Sequence, residues 1–368
     1  MNLAPYLNRA LFGAMLLSLT GCGVAGFPKP PSLDLPQPVT DLRALRKGDK
    51  VFLAWTVPAE TTDGTTVRHL GITRICRSLD SAMTDCVNPV GTVPPLPPAS
   101  GGQNKAAAVN TKTQTSYSDQ LPPTLLRDDP AAEIFYVVSV LNQRGRSAGL
   151  SNHVAVPAVI ALPPPSDFRA QVTADGILLS WTGSPQFSET QALHHVYRVY
   201  RREQGTKTDT TVGEMPFGVL RTYLLLDHSF EWEKTYEYRA TVVAVIHVEG
   251  RPETQFEGDD TPWARVFAHD IFPPAVPSGL QAAFSGVGQQ PFIDLIWAPD
   301  TEADLAGYNI YRHEAGTAEQ KINQELVRTP AFHDTNVTPG HTYFYSVSAI
   351  DVRRNESAHS VEASESVP

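Results

Sequence analysis

Among side chains able to act as nucleophiles or hold metals, cysteines are the scarcest here: 368 residues contain three, Cys22, Cys76 and Cys86. Their positions separate one thiol near the N-terminus from a close pair, which implies different jobs. A zinc site on Cys76 and Cys86 would need two further ligands; His69 is the nearest histidine, and the spacing fits no zinc signature. His194 and His195 are adjacent, so on a strand they point to opposite faces and cannot grip one ion together. Asp300, Glu302 and Asp304 could offer oxygen ligands to calcium, yet their spacing matches no calcium loop, and a solvated turn is expected there instead. No Gly-x-Ser-x-Gly elbow, zinc-binding histidine pair or glycine-rich phosphate loop occurs in the chain. The expectation is a noncatalytic protein with no metal and no cofactor.

Composition says what must position these residues. Charged residues make up only 18% of the chain, while Pro (31) and Gly (25) are frequent, a balance that suits many short strands joined by turns. A formal charge of −10 with no basic cluster would repel a phosphate backbone, which excludes nucleic acid as a partner. A domain-scale repeat then sets the architecture. Val51-Phe52-Leu53-Ala54-Trp55, Ile177-Leu178-Leu179-Ser180-Trp181 and Ile293-Asp294-Leu295-Ile296-Trp297 each alternate apolar positions and end in Trp, as a half-buried sandwich strand does. A second strand follows each: Gly71 to Arg77, Val196 to Arg201 and Gly307 to Arg312. A third comprises Phe135 to Val140, Tyr236 to Ala240 and Tyr343 to Ala349, rich in β-branched and aromatic residues. Asp119, Asp227 and Asp334 each close the strand before that third one, a recurrence that predicts a repeated role in turns.

These strands resemble fibronectin type III domains, in which the first Trp lies on strand B, the Tyr-x-Ile-Tyr-Arg stretch on strand C, and the Tyr-x-Tyr-x-Val-x-Ala stretch on strand F. The resemblance implies an all-β, immunoglobulin-like β-sandwich repeated three times, with Trp55, Trp181 and Trp297 as core plugs. It also implies a tyrosine corner at Tyr236 and Tyr343, whose hydroxyls bond back to the backbone; Ile134 occupies that place in the first repeat. Asp351 to Ser357 resembles an Asp-x-x-Gly-Asn-Glu-Ser hairpin, with Arg354 where the glycine is usual. Cys76 falls on strand C and Cys86 follows after a turn, so a hairpin disulfide is expected in an oxidising compartment.

The N-terminus carries Arg9 and an apolar run from Ala10 to Leu19, the length of a signal-peptide core and too short to span a bilayer. Leu19-Thr20-Gly21-Cys22 resembles the lipobox of bacterial lipoproteins, which implies cleavage before Cys22 and acyl chains, palmitate among them, on its thiol and amine. Gly23, by resemblance to enterobacterial sorting, favours the outer membrane. The expected division is a signal peptide at 1–21, a lipid-anchored Pro-rich stalk at 22–36, and domains at 37–158, 163–271 and 273–366, with a long loop near Pro94 to Ser116 in the first. Together these features predict a lipid-anchored cell-envelope scaffold or adhesion protein, periplasmic or surface-facing, that binds protein or polysaccharide. The alternative expectation is a spacer subunit of a secretion, pilus or polysaccharide-processing assembly.

Overall fold

A computed structural model describes residues 33–96, 113–183, 190–218, 220–286 and 290–368. The expected signal peptide, Cys22 and much of the long first-domain loop lie outside the described residues. The fold is all-β and sandwich-type: among the described residues the helical content is one 3-10 turn, Pro123–Leu125. The chain divides into two compact units, one built mainly from residues up to Pro157 and the other mainly from Ala158–Pro368. The expected boundary between the second and third sandwiches therefore falls inside the second unit.

The first unit contains β1 (Arg43–Lys47), β2 (Lys50–Thr56), β3 (Leu70–Ser78), β4 (Gly91–Val93), β5 (Gln114–Gln120), β6 (Glu133–Asn142) and β7 (Val154–Pro157). Strands β1-β2-β5 form one layer and β4-β3-β6-β7 the other. Alternation on β2 works as the pattern requires: Val51, Leu53 and Trp55 are buried while Phe52 faces solvent. Residues 33–36, placed in the stalk on sequence grounds, are bonded into this unit. The Thr62 N–H donates to the Leu35 carbonyl (2.9 Å), and Pro36 bridges Thr61.

The second unit begins with β8 (Ser166–Thr173), β9 (Gly176–Thr182), β10 (Leu193–Glu203), β11 (Thr210–Pro216), β12 (Thr222–Asp227), β13 (Thr235–Ile246), β14 (Thr254–Asp260) and β15 (Ala264–Phe267). Here β12-β9-β8 faces β11-β10-β13-β14, and β15 continues along β13 after β14 stops. Pro262 lies in the gap; having no N–H to give a ladder, it interrupts what would be one continuous strand along β13. The unit continues with β16 (Gln281–Ser285), β17 (Phe292–Ile296), β18 (Leu305–Glu314), β19 (Gln320–Lys321), β20 (Ala331–Asp334), β21 (Thr342–Asp351) and β22 (Ala363–Ser366). Again a three-stranded layer, β16-β17-β20, meets a four-stranded one, β19-β18-β21-β22, a fibronectin type III-like arrangement.

All three tryptophans are buried, and Trp181 and Trp297 sit in cores of their own. Trp181 lies flat against Tyr223 (5.7 Å, 5°) and edge-on to Tyr197 (5.6 Å), and Trp297 meets Tyr308 edge-on (5.1 Å). Trp181 and Trp297 belong to separate clusters of buried residues, so the rings do not share an interior. Aromatic pairs of this kind add about 0.5–1.5 kcal/mol each beyond area burial.

Two hairpins after strand F repeat one another closely. Asn142 Oδ1 accepts the Arg144 and Arg146 N–H groups (2.9 and 3.0 Å), and Asp351 Oδ1 accepts those of Arg353 and Asn355 (both 2.8 Å). The residue between them has φ 75° at Gly145 and φ 73° at Arg354. Arg354 thus adopts the left-handed turn that the usual glycine would take, at a steric cost of about 1–2 kcal/mol. Because Arg354 is exposed, Arg354→Gly should stabilise the protein by about 0.5–1 kcal/mol, and Gly145→Arg should destabilise it by about as much. Thermal denaturation of both variants beside the wild type checks the pair of signs.

Candidate functional site

The recurring aspartates are the most organised polar groups in the molecule. Asp119 on β5, Asp227 on β12 and Asp334 on β20 are all buried, each on the three-stranded layer of its sandwich. From the opposite layer, strand F supplies a tyrosine and strand C an arginine to each. Tyr136, Tyr238 and Tyr345 donate their hydroxyls to the carboxylates at 2.7, 2.9 and 2.9 Å. Arg77, Arg201 and Arg312 donate to the same oxygens at 2.5, 2.8 and 2.7 Å. Every sandwich is therefore pinned across its layers by one Tyr-Asp-Arg set, a charge-assisted network of the strong kind. The sequence recurrence pointed to turns. Turns are indeed present, since Ser229 and Asn336 N–H groups cap Asp227 and Asp334, but the buried carboxylate oxygen serves the interlayer pin.

The electrostatics of these sets suit structure rather than proton transfer. Burial and the neighbouring carboxylate push the phenols of Tyr136, Tyr238 and Tyr345 far above the ordinary tyrosine range. For Asp227, burial raises the pKa, but the Ser229 hydroxyl and N–H, Tyr238 and Arg201 outweigh it and hold the carboxyl below its ordinary value. It stays ionised at neutral pH, locked to a fixed cation.

Beside each pin in the second unit lies the tyrosine corner. The Tyr236 hydroxyl accepts the Glu231 N–H (3.0 Å) and Tyr343 accepts that of Thr338 (3.1 Å). Arg201 and Arg312 pass over these rings at 5.2 and 4.9 Å, so one guanidinium serves both pin and corner. In the first unit the fully buried Ile134 fills the place instead.

One acidic cluster could hold a cation by geometry: among the described residues, Asp270, Asp304 and Asp351 bring carboxylate oxygens within 4.8 Å of one another. Of the loop acids singled out in the sequence, only Asp304 belongs to it. Asp270 comes from the segment after β15 and Asp351 from the end of β21, partners that spacing alone does not join. Asp270 and Asp351 already have donors: Arg353 Nη1 reaches Asp270 (3.1 Å), and Asn355 Nδ2 reaches Asp351 (2.7 Å).

The remaining expected residues are structural in their surroundings. Cys76 and Cys86 are joined by a disulfide, both buried against Val137, Met83 and Leu150. His194 is exposed and His195 buried on opposite faces of β10. Unforeseen in the sequence is a ladder on the outer face of the second sandwich. Arg239 lies over Tyr200 (4.4 Å) and near Trp263 (5.3 Å), Arg202 covers Trp263 (4.5 Å), and Asp209 joins both arginines. Trp263 lies outside the repeated strands, so the internal repeat carried no signal for it.

No protein-family model matches the chain. It is 42% identical over 94 residues to an amylopullulanase of Thermoanaerobacterium saccharolyticum, a match covering 25% of this chain and 7% of that protein. An amylopullulanase of Thermoanaerobacter thermohydrosulfuricus is 25% identical over 391 aligned positions, covering 94% of this chain and 23% of the relative. The chain thus spans less than a quarter of the length of these relatives. Among solved structures, a Fn3-like protein from Clostridium thermocellum is 28% identical, covering 26% of this chain and 96% of its own, with a TM-score of 0.23.

The pin makes two measurable statements. Asp227→Asn, which strands Arg201 beside a neutral group, should cost about 3 kcal/mol in urea unfolding. Because the folded pKa of Asp227 is depressed, its contribution is present above the unfolded value of about 3.9 and is lost as pH falls through the folded value. Stability of the wild type should therefore decline below about pH 4, and the decline should be shallower in Asp227→Asn.

Proposed function

We propose that the chain is a noncatalytic, lipid-anchored cell-envelope protein whose fibronectin type III-like sandwiches, at 37–158, 163–271 and 273–366, present loops and sheet faces to a protein or polysaccharide ligand. The observation that carries this reading is the use of the polar groups best suited to chemistry. The buried aspartates, tyrosines and arginines of each sandwich are consumed by interlayer pins, which leaves the exterior to do the work of recognition. The relatives support it from another side: they are named as amylopullulanases, enzymes of polysaccharide breakdown, and the stretches shared with this chain amount to a small part of them.

Anchorage rests on the lipobox-like Leu19-Thr20-Gly21-Cys22 after an apolar run. Two or three acyl chains, at about 0.8 kcal/mol per buried methylene, would hold the mature protein at the outer membrane through Cys22. A second reading, an accessory or spacer subunit of a larger envelope machine, is favoured by the interlayer pinning, which holds the two layers of each sandwich in one register.

Mass spectrometry of the mature N-terminus decides the anchor. The expected peptide begins at Cys22 and carries acyl mass, and Cys22→Ala should move the protein from the membrane pellet to the soluble fraction. An unmodified N-terminus at another position rejects the anchor. Pull-down from detergent-solubilised membranes separates the two roles: a stoichiometric complex supports the spacer, and a lone protein that retains glycan affinity supports the adhesin.

A further inference from the structure

The segment that leads out of β15 and into the third sandwich is held from both sides. On the second sandwich, Glu233 Oε1 accepts the Asp270 N–H (3.4 Å) and meets His269 Nδ1 (3.0 Å). On the third, the hairpin after β21 reaches back. Arg353 Nη1 donates to Asp270 Oδ2 (3.1 Å), Arg353 Nε lies 3.7 Å from Glu233 Oε1, and Asn355 Nδ2 donates to the Asp270 carbonyl (3.1 Å). Arg353 also passes over the Trp232 ring at 5.8 Å. One guanidinium, carried on the hairpin of the third sandwich, therefore contacts both the turn before strand F of the second and the connecting segment.

We propose that this junction is a clamp that fixes the angle between the second and third sandwiches, with Arg353 as its pin and the buried Asp270 as its socket. Three independent features of the chain favour a built device over a chance contact. Asp270 is 4% exposed, and a carboxylate that deep is stable only with a charge partner. Glu233 holds a left-handed backbone at φ 62°, a strain that persists where surrounding contacts over-determine it. The gripping hairpin is the one repeated in the first unit, where Asn142, at the place of Asp351, donates to the incoming chain at the Leu33 carbonyl (3.1 Å). The first-unit hairpin grips the Leu33 carbonyl through an amide; the third-sandwich hairpin grips the Asp270 carbonyl through an amide and its carboxylate through a guanidinium. The nearby Asp304 and Asp351 carboxylates deepen the negative potential that holds the guanidinium in place.

This inference is independent of the anchor and of any ligand. It is tested in the full-length chain with spin labels carried on unnatural amino acids at the exposed positions Lys207 and Ala318, one in each sandwich, by pulsed electron resonance. The expected result is one narrow distance distribution in the wild type, at least about twofold broader in Arg353→Ala and in Asp270→Asn, and unchanged in the neighbouring Arg354→Gly. A wild-type distribution as broad as that of either charge-removing variant overturns the clamp. So does a wild-type distribution that narrows only on adding calcium, since an ion on the three carboxylates would then be the fastener instead of Arg353. Circular dichroism on each variant separates loosening from unfolding, and Asp270→Asn gives the reading if Arg353→Ala does not fold.

Discussion

A buried aspartate on one layer, answered from the other by a tyrosine and an arginine, is the contact on which each sandwich depends. Two sheets packed only through apolar side chains can slide, because hydrophobic contact is non-directional. Here the Trp core supplies most of the driving force and the Tyr-Asp-Arg set supplies registration. A carboxylate that accepts a phenol and a guanidinium at fixed distances tolerates one offset between the layers. Removing the aspartate leaves the arginine without its charge partner, and removing the arginine leaves a buried carboxylate without one. The same trio stands in all three sandwiches, although the first has Ile134 in place of the corner tyrosine.

Strands B, C and F were legible from the chain because their signals are local: alternation ending at Trp55, Trp181 and Trp297, and β-branched and aromatic runs around Tyr236 and Tyr343. The pins were half legible. The recurrence of Asp119, Asp227 and Asp334 could be seen, but their partners lie on other strands, and the pairing across layers is a property of the closed sandwich, beyond any window of sequence. The cluster of Asp270, Asp304 and Asp351 was less visible still, since Asp304 stands among other loop acids and its companions come from a connector and a hairpin. Arg354 shows the opposite case. A missing glycine in a familiar hairpin cast doubt on the turn, yet Asp351 imposes the turn through two backbone N–H groups, and the arginine bears the strain.

The same hairpin also shows how tandem modules specialise. In both units an Asx-type side chain organises the turn, and a side-chain amide holds the chain as it enters the sandwich. In the third sandwich Asp351 stands where Asn142 does in the first, and Arg353 reaches the Asp270 carboxylate. A general element of module closure becomes, by a change of charge, a candidate for controlling the geometry between neighbours.

The interruption at Pro262 has a consequence of a different order. A chain of similar all-β modules displays several open sheet margins, and identical margins on neighbouring molecules can zip together into intermolecular ladders. Interrupting the chain at Pro262 leaves β14 and β15 as two short runs along β13, while the bulky ring of Trp263 and its covering arginines crowd the gap. Short, interrupted runs are poorer templates for fibril-like pairing than one long strand, a hazard that grows with every copy a repeated architecture adds.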